Sequence, residues 1–192
     1  AVVSFWGAPL SRPDDGEKAA AAAFAMYRAG EQFRIDLAAD DVPPIGMTRV
    51  GLHVGDAIVG NFGGEGRIQY TALGDSMNSA ARLEAANKGL NTGVLVSAEA
   101  AARSGRDDLV PMGRVTLRGR AQPVDVLTPR PDLSVEQRAR IAALVAAHAA
   151  GDKNAYVMAA TATATEFGQD PAIMFLIERL NDTEKGESYV LS

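Results

Sequence analysis

Residues 70–84, Tyr-Thr-Ala-Leu-Gly-Asp-Ser-Met-Asn-Ser-Ala-Ala-Arg-Leu-Glu, read as the end of a strand, a Gly-Asp turn and the start of a helix. Asp75 or Ser76 suits the helix N-cap, and the helix is expected to end near Lys88 with Gly89 as its C-terminal cap. Asn78 and Arg82 stand four residues apart within it, so an amide and a guanidinium share one helix face. The guanidinium is a planar fork of donors that stays charged at any working pH. An amide both donates and accepts, as a ribose demands. The pair therefore suits a phosphoryl group carried on a sugar. The same spacing fits an Arg solvated on an amphipathic helix, and spacing alone does not choose.

On the N-terminal side, Val2 to Trp6 read as a strand with Gly7-Ala-Pro9 as its exit turn. Asp14 or Asp15 can cap a long Ala-rich helix running to about Ala39, which the stretch 40–46 breaks. Val50, Leu52 and Val54 alternate with Arg49, Gly51 and His53, a period-two strand that residues 57–59 carry onward. Gly63-Gly-Glu-Gly66 is a turn, and 67–73 return as the partner strand of a hairpin. Beyond the central helix, 94–96 is a short strand and Ser97 caps a short helix. Residues 114–118 and 123–127 form a last antiparallel pair. Strands, helices and hairpins in this order indicate an α+β sandwich with helices on one sheet face.

Residues 129–133 are a linker, after which the pattern is helical only: about 134–150, 153–167 and 170–181. The spacing within 134–192 is similar to a tetratricopeptide-like helical pair, and equally fits a helical tail packed on the preceding domain.

The composition closes several routes. The chain has no Cys, which excludes disulfides, thiolate metal sites and a Cys nucleophile. Two isolated His residues, His53 and His148, do not make a zinc site of the usual spacing. A net charge of −5 without like-charge blocks argues against nucleic acid as a partner. No apolar run of about 18 residues is present to span a bilayer. The sequence opens at Ala1 inside an apolar strand without a basic leader, and the expectation is that it is the interior of a longer protein.

Arg49-Val-Gly-Leu-His-Val-Gly55, Gly60-Asn-Phe-Gly63, residues 67–84 and Asn87-Lys-Gly89 follow one another in fixed order. With Ser4-Phe-Trp-Gly-Ala-Pro-Leu10 and Leu117-Arg-Gly-Arg120 at either end, the stretch 1–128 closely resembles the class III nucleotide cyclase catalytic domain of bacterial adenylate cyclases. The resemblance implies a ferredoxin-like α+β domain that converts ATP to 3′,5′-cyclic AMP and pyrophosphate in signal transduction. It assigns Arg82 to the charge on the reacting α-phosphate, Asn78 to the ribose, and Thr71 to the purine, where a hydroxyl favours ATP. Arg118 stands where the family has a Lys for the terminal phosphates, and Arg120 is a second candidate. Asp75 reads as a cap and Asp56 as loop polarity.

The family holds two Mg²⁺ or Mn²⁺ ions with two Asp residues. Both positions would precede Ala1, so the resemblance leaves no metal ligand in this sequence and implies that the fragment alone is inactive. It also implies a homodimer with each active site shared between two cyclase chains, the hairpin of residues 56–70 serving as a dimer arm. The catalytic part would face the cytoplasm, and membrane anchoring would come only from an upstream region. A nucleotide-binding pseudocyclase and a guanylate cyclase are the alternatives.

Overall fold

The computed structural model describes residues 2–39, 43–64, 66–117, 122–183 and 188–191. In chain order its elements are α1 (Asp15–Ala39), β1 (Val50–Leu52), β2 (Ile58–Gly64), β3 (Arg67–Leu73), α2 (Asp75–Leu90), β4 (Val94–Ser97) and α3 (Ala98–Ala102). Then follow β5 (Leu109–Leu117), β6 (Val124–Pro129), α4 (Val135–Ala150), α5 (Lys153–Phe167), α6 (Pro171–Asn181) and β7 (Tyr189–Leu191). Among the described residues a mixed five-stranded sheet has the order β1-β4-β6-β5-β7, and β2 and β3 pair with each other as a separate ribbon.

The alternation of β4 decides the layering. Val94 and Val96 point to one face and are buried with Ala20 and Phe24 of α1 and Ala100 of α3. Leu95 points the other way, into a larger core with Leu83 and Leu90 of α2, Ile141 and Leu144 of α4, and Ile173 and Leu176 of α6. Helices therefore cover both faces rather than one. The Ala-rich α1 carries its own apolar stripe of Ala20, Ala23 and Phe24, and that stripe needs a surface to cover.

Other local expectations shift for identifiable reasons. Residues 2–6 form no strand, because a strand is made by a neighbour's ladder and no described segment pairs with them; Val2 and Val3 are exposed. The strand expected over 49–59 breaks after Leu52, and Ile58 begins the separate β2–β3 ribbon. α2 is entered through Gly74 without a side-chain cap, and it ends on Asn91, at φ 51, instead of on Gly89. Asn is the other residue that tolerates the left-handed cap. β5 and β6 are longer than expected and meet from Leu109 to Pro129. A short β7 also follows the helices, parallel to β5 from Val115 to Leu117.

The three C-terminal helices start where the sequence places caps: Ser134, Asp152 and Asp170 each accept a hydrogen bond from a first-turn backbone N–H. Their apolar stripes enter the sheet's own core, so α4 and α6 pack on the domain rather than standing apart. Arg130, only 15% exposed, reaches Asp132 at 2.7 Å and the α6 cap Asp170 at 2.6 Å, and so pins α6 to the chain leaving β6. The Arg130 guanidinium, hydrogen-bonded to Asp132, holds that carboxyl below its ordinary 3.8. A depressed carboxyl stabilises the fold above its unfolded pKa and loses that contribution as pH falls through the folded value. Asp132→Asn is thus expected to melt about 1–3 °C below the parent at pH 7, as befits a pair whose carboxylate is exposed. The gap should close below about pH 4; a gap independent of pH would assign the effect to something other than this pair.

Among the described residues no helix is long and apolar enough to cross a membrane.

Candidate functional site

β3 runs directly into α2, and the turn between them sets the site. Gly74 sits at φ 150, a conformation open to glycine and strained for other residues. A side chain there would also meet the Asp56 carbonyl oxygen at 3.1 Å and Ala57 Cα at 3.4 Å. The chain can turn this sharply, with the first turn of α2 pressed on residues 56–57, only because no Cβ intervenes. Asp75 opens the helix, where a carboxylate complements the positive end of the helix dipole. Ser76 does not cap; its hydroxyl donates to the Asp56 carbonyl at 2.7 Å.

Asn78 is the fourth residue of α2 and is exposed, while Arg82, one turn later, is half-buried. Four residues of helix separate them by about 6 Å along the axis, on one face. Neither side chain bonds to another described residue. Nearby charge is already used, since Arg49 Nε pairs with Glu84 Oε1 at 2.9 Å. Among the described residues the face thus presents a guanidinium and an amide without partners. Thr71 is half-buried on β3, opposite Gly60 and three residues before the turn, so it lies at the same end of α2. Arg118 and Arg120 lie outside the described residues.

Among the described residues no three His, Asp or Glu side chains converge to hold a metal ion. Asp56 and Asp75 flank the turn as exposed single carboxylates. Among the described residues the donor set does not fit a two-ion centre. His148 is buried in the helical region, its ring edge-on to Tyr156 with centroids 5.5 Å apart and Nε2 3.4 Å from the Thr183 carbonyl.

The sequence reading did not single out what holds α2 in place. Asn87 is fully buried, and its Nδ2 donates to the carbonyls of Val50 at 3.0 Å and of Leu83 and Glu84 in its own helix. Its Oδ1 accepts from the Thr92 hydroxyl at 2.8 Å. The signal was available: Asn87 falls on the 83, 86, 90 apolar stripe, and a polar residue inside such a stripe must find partners in the core.

The family model described as "Adenylate and Guanylate cyclase catalytic domain" matches residues 4–128. Adenylate cyclase 1 of Rhizobium meliloti is 37% identical over 128 residues, covering 65% of this chain and 19% of that protein. An uncharacterised protein of Mycobacterium tuberculosis is 33% identical over 134 residues, covering 67% of this chain and 23% of that one. The chain therefore spans about a fifth of the length of these curated relatives. Among solved structures, the adenylyl cyclase CyaB from P. aeruginosa superposes with a TM-score of 0.56 at 26% identity, covering 67% of this chain and 68% of that one. The crystal structure of a guanylyl cyclase superposes at 0.53 with 27% identity, covering 65% and 62%.

Proposed function

The chain belongs to the adenylate and guanylate cyclase catalytic domain family, and from that premise we propose that it makes 3′,5′-cyclic AMP and pyrophosphate from ATP. The ribose 3′-oxygen attacks the α-phosphorus, its proton leaves, and the bond to the pyrophosphate oxygen breaks. Positioning and charge stabilisation carry such a step, with little covalent work for the protein. Arg82 meets the charge that gathers on the α-phosphate, Asn78 holds the ribose, and Thr71 accepts from the adenine amino group. Arg118 and Arg120 take the terminal phosphates.

The observation that carries this reading is the face of α2 on which Asn78 and Arg82 stand one turn apart, neither bonded to another described residue. Bound Mg²⁺ or Mn²⁺ would neutralise the triphosphate and acidify the 3′-hydroxyl, but the described residues supply no such centre. On this reading a second cyclase chain completes the site, giving a homodimer with two equivalent clefts. The alternative is a nucleotide-binding pseudocyclase, and the retained Thr71, Asn78 and Arg82 argue against it.

The test is cyclic nucleotide formation by the natural protein that contains these residues, supplied with ATP or GTP and Mg²⁺ or Mn²⁺. ATP should be used at least about ten-fold faster, roughly what one hydrogen bond yields, and Thr71→Ala should narrow the gap. GTP used as fast as ATP would overturn the choice of base. Tight nucleotide binding without any cyclic product would favour the non-catalytic reading.

A further inference from the structure

Resting on the cyclase reading, we infer that Ser76 and Asn87 are positioning residues that bolt α2 near both ends to the stretch 50–56 and so fix where Asn78 and Arg82 stand. Ser76 Oγ donates to the Asp56 carbonyl at 2.7 Å, and Asn87 Nδ2 donates to the Val50 carbonyl at 3.0 Å. The two residues are eleven apart, about 16 Å of helix. Their acceptors are six residues apart, Val50 opening β1 and Asp56 in the irregular stretch that follows it. The helix therefore lies antiparallel along residues 50–56 and is tied at each extremity.

Between the ties, Gly51 lets the two backbones touch. A Cβ there would stand 2.1 Å from the Ala80 carbonyl oxygen and 2.4 Å from the Glu84 amide nitrogen. Asn78, exposed, and Arg82, half-buried, occupy the span between the bolts.

Packing alone would not need these groups. Leu83, Ala86 and Leu90 already bury the inner stripe of α2, and a leucine at position 87 would extend it. An apolar stripe against a sheet tolerates small slides and rotations, whereas directional bonds to two fixed carbonyls do not. A buried amide costs desolvation, so its presence in this stripe is explained by register rather than by stability. Displacing reacting groups by about 1 Å lowers rate by up to about 10²-fold, so register matters for this chemistry.

The chain lacks cysteine, so cysteines introduced at the exposed Ala81 of α2 and Ala139 of α4 would be its only thiols. Spin labels there report the helix position by electron–electron distance. The parent should give one narrow distance; Ser76→Ala and Asn87→Leu should broaden or shift it, and Ser76→Thr, which restores the hydroxyl, should recover it. In the natural protein, Ser76→Ala should lower kcat about ten-fold with KM for ATP held within about two-fold. Should Asn87→Leu not fold, the half-buried Ser76 carries the test by itself. Unchanged distances in Ser76→Ala, or a lowered melting temperature as its only effect, would overturn the inference. A shifted distance together with an Arg82→Ala enzyme of full activity would instead leave the bolts standing and remove the cyclase reading.

Discussion

Arg82→Ala is expected to lower cyclic AMP turnover by roughly 10²–10³-fold while KM for ATP changes only a few-fold. That is the usual loss when one preorganised donor is removed from developing transition-state charge. The α-phosphate gathers negative charge as the 3′-oxygen closes and pyrophosphate departs, so the guanidinium acts more strongly on the transition state than on bound ATP. Lysine should recover only part of the rate, since it offers a point charge where the fork holds two oxygens. Stability should move by no more than about 0.5 kcal/mol, because Arg82 is half-buried and bonds no other described residue. Initial-rate kinetics alongside a thermal melt separates these quantities. Equal losses in kcat and ATP affinity would contradict the assigned role, and a large drop in melting temperature would make Arg82 a structural residue.

Gly51→Ala is expected to be strongly destabilising. The added carbon would sit 2.1 Å from the Ala80 carbonyl oxygen and 2.4 Å from the Glu84 amide nitrogen, both backbone atoms of α2. Neither can swing aside as a side-chain tip could, so α2 must lift from β1 or β1 must leave β4. The expected cost is at or above roughly 3 kcal/mol, the upper end of what overpacking usually costs. In a chain of this size that lowers the melting temperature by about 6–12 °C or more. Gly46→Ala is the control, since nothing lies within 4 Å of the added carbon there. Thermal melts of the two variants decide the matter: a Gly51→Ala chain as stable as the control would mean that α2 does not press on β1.

Much of this architecture was legible from local chemistry. Ser134, Asp152 and Asp170 before periodic stretches, and Gly151 between two of them, placed α4, α5 and α6 to within a residue. The Gly-rich tip at 63–66 placed the β2–β3 ribbon. Partnership was not legible. Val2 to Trp6 have strand composition, yet a strand needs a neighbour, and composition names none. Val54 continues the alternating pattern and 57–59 extend the apolar run, but β1 ends at Leu52 because its register with β4 ends there, at Val96. Asn91 rather than Gly89 takes the left-handed cap, a choice made by how Thr92 and Asn87 close the turn.

The candidate site divides along the same line. Asn78 and Arg82 could be placed on one face by counting residues. Ser76 bonding Asp56, and Asn87 bonding Val50, join positions 20 and 37 residues apart, which spacing does not report. The composition of the C-terminal helices gave their length and caps but not their cover: only the packing of Ile141, Leu144, Ile173 and Leu176 against Leu95 and Met112 shows what their apolar stripes serve.

Among the described residues the β2–β3 ribbon shares no ladder with the main sheet, and it meets α2 through a single glycine at φ 150. On the proposed reading, the residue that discriminates among purines rides on that ribbon, while the groups for sugar and phosphate ride on the helix anchored to the sheet. Lineages could therefore exchange one nucleobase for another through changes in the ribbon and leave the reaction's machinery intact. Such modular descent would let a single scaffold give rise to enzymes with different second messengers.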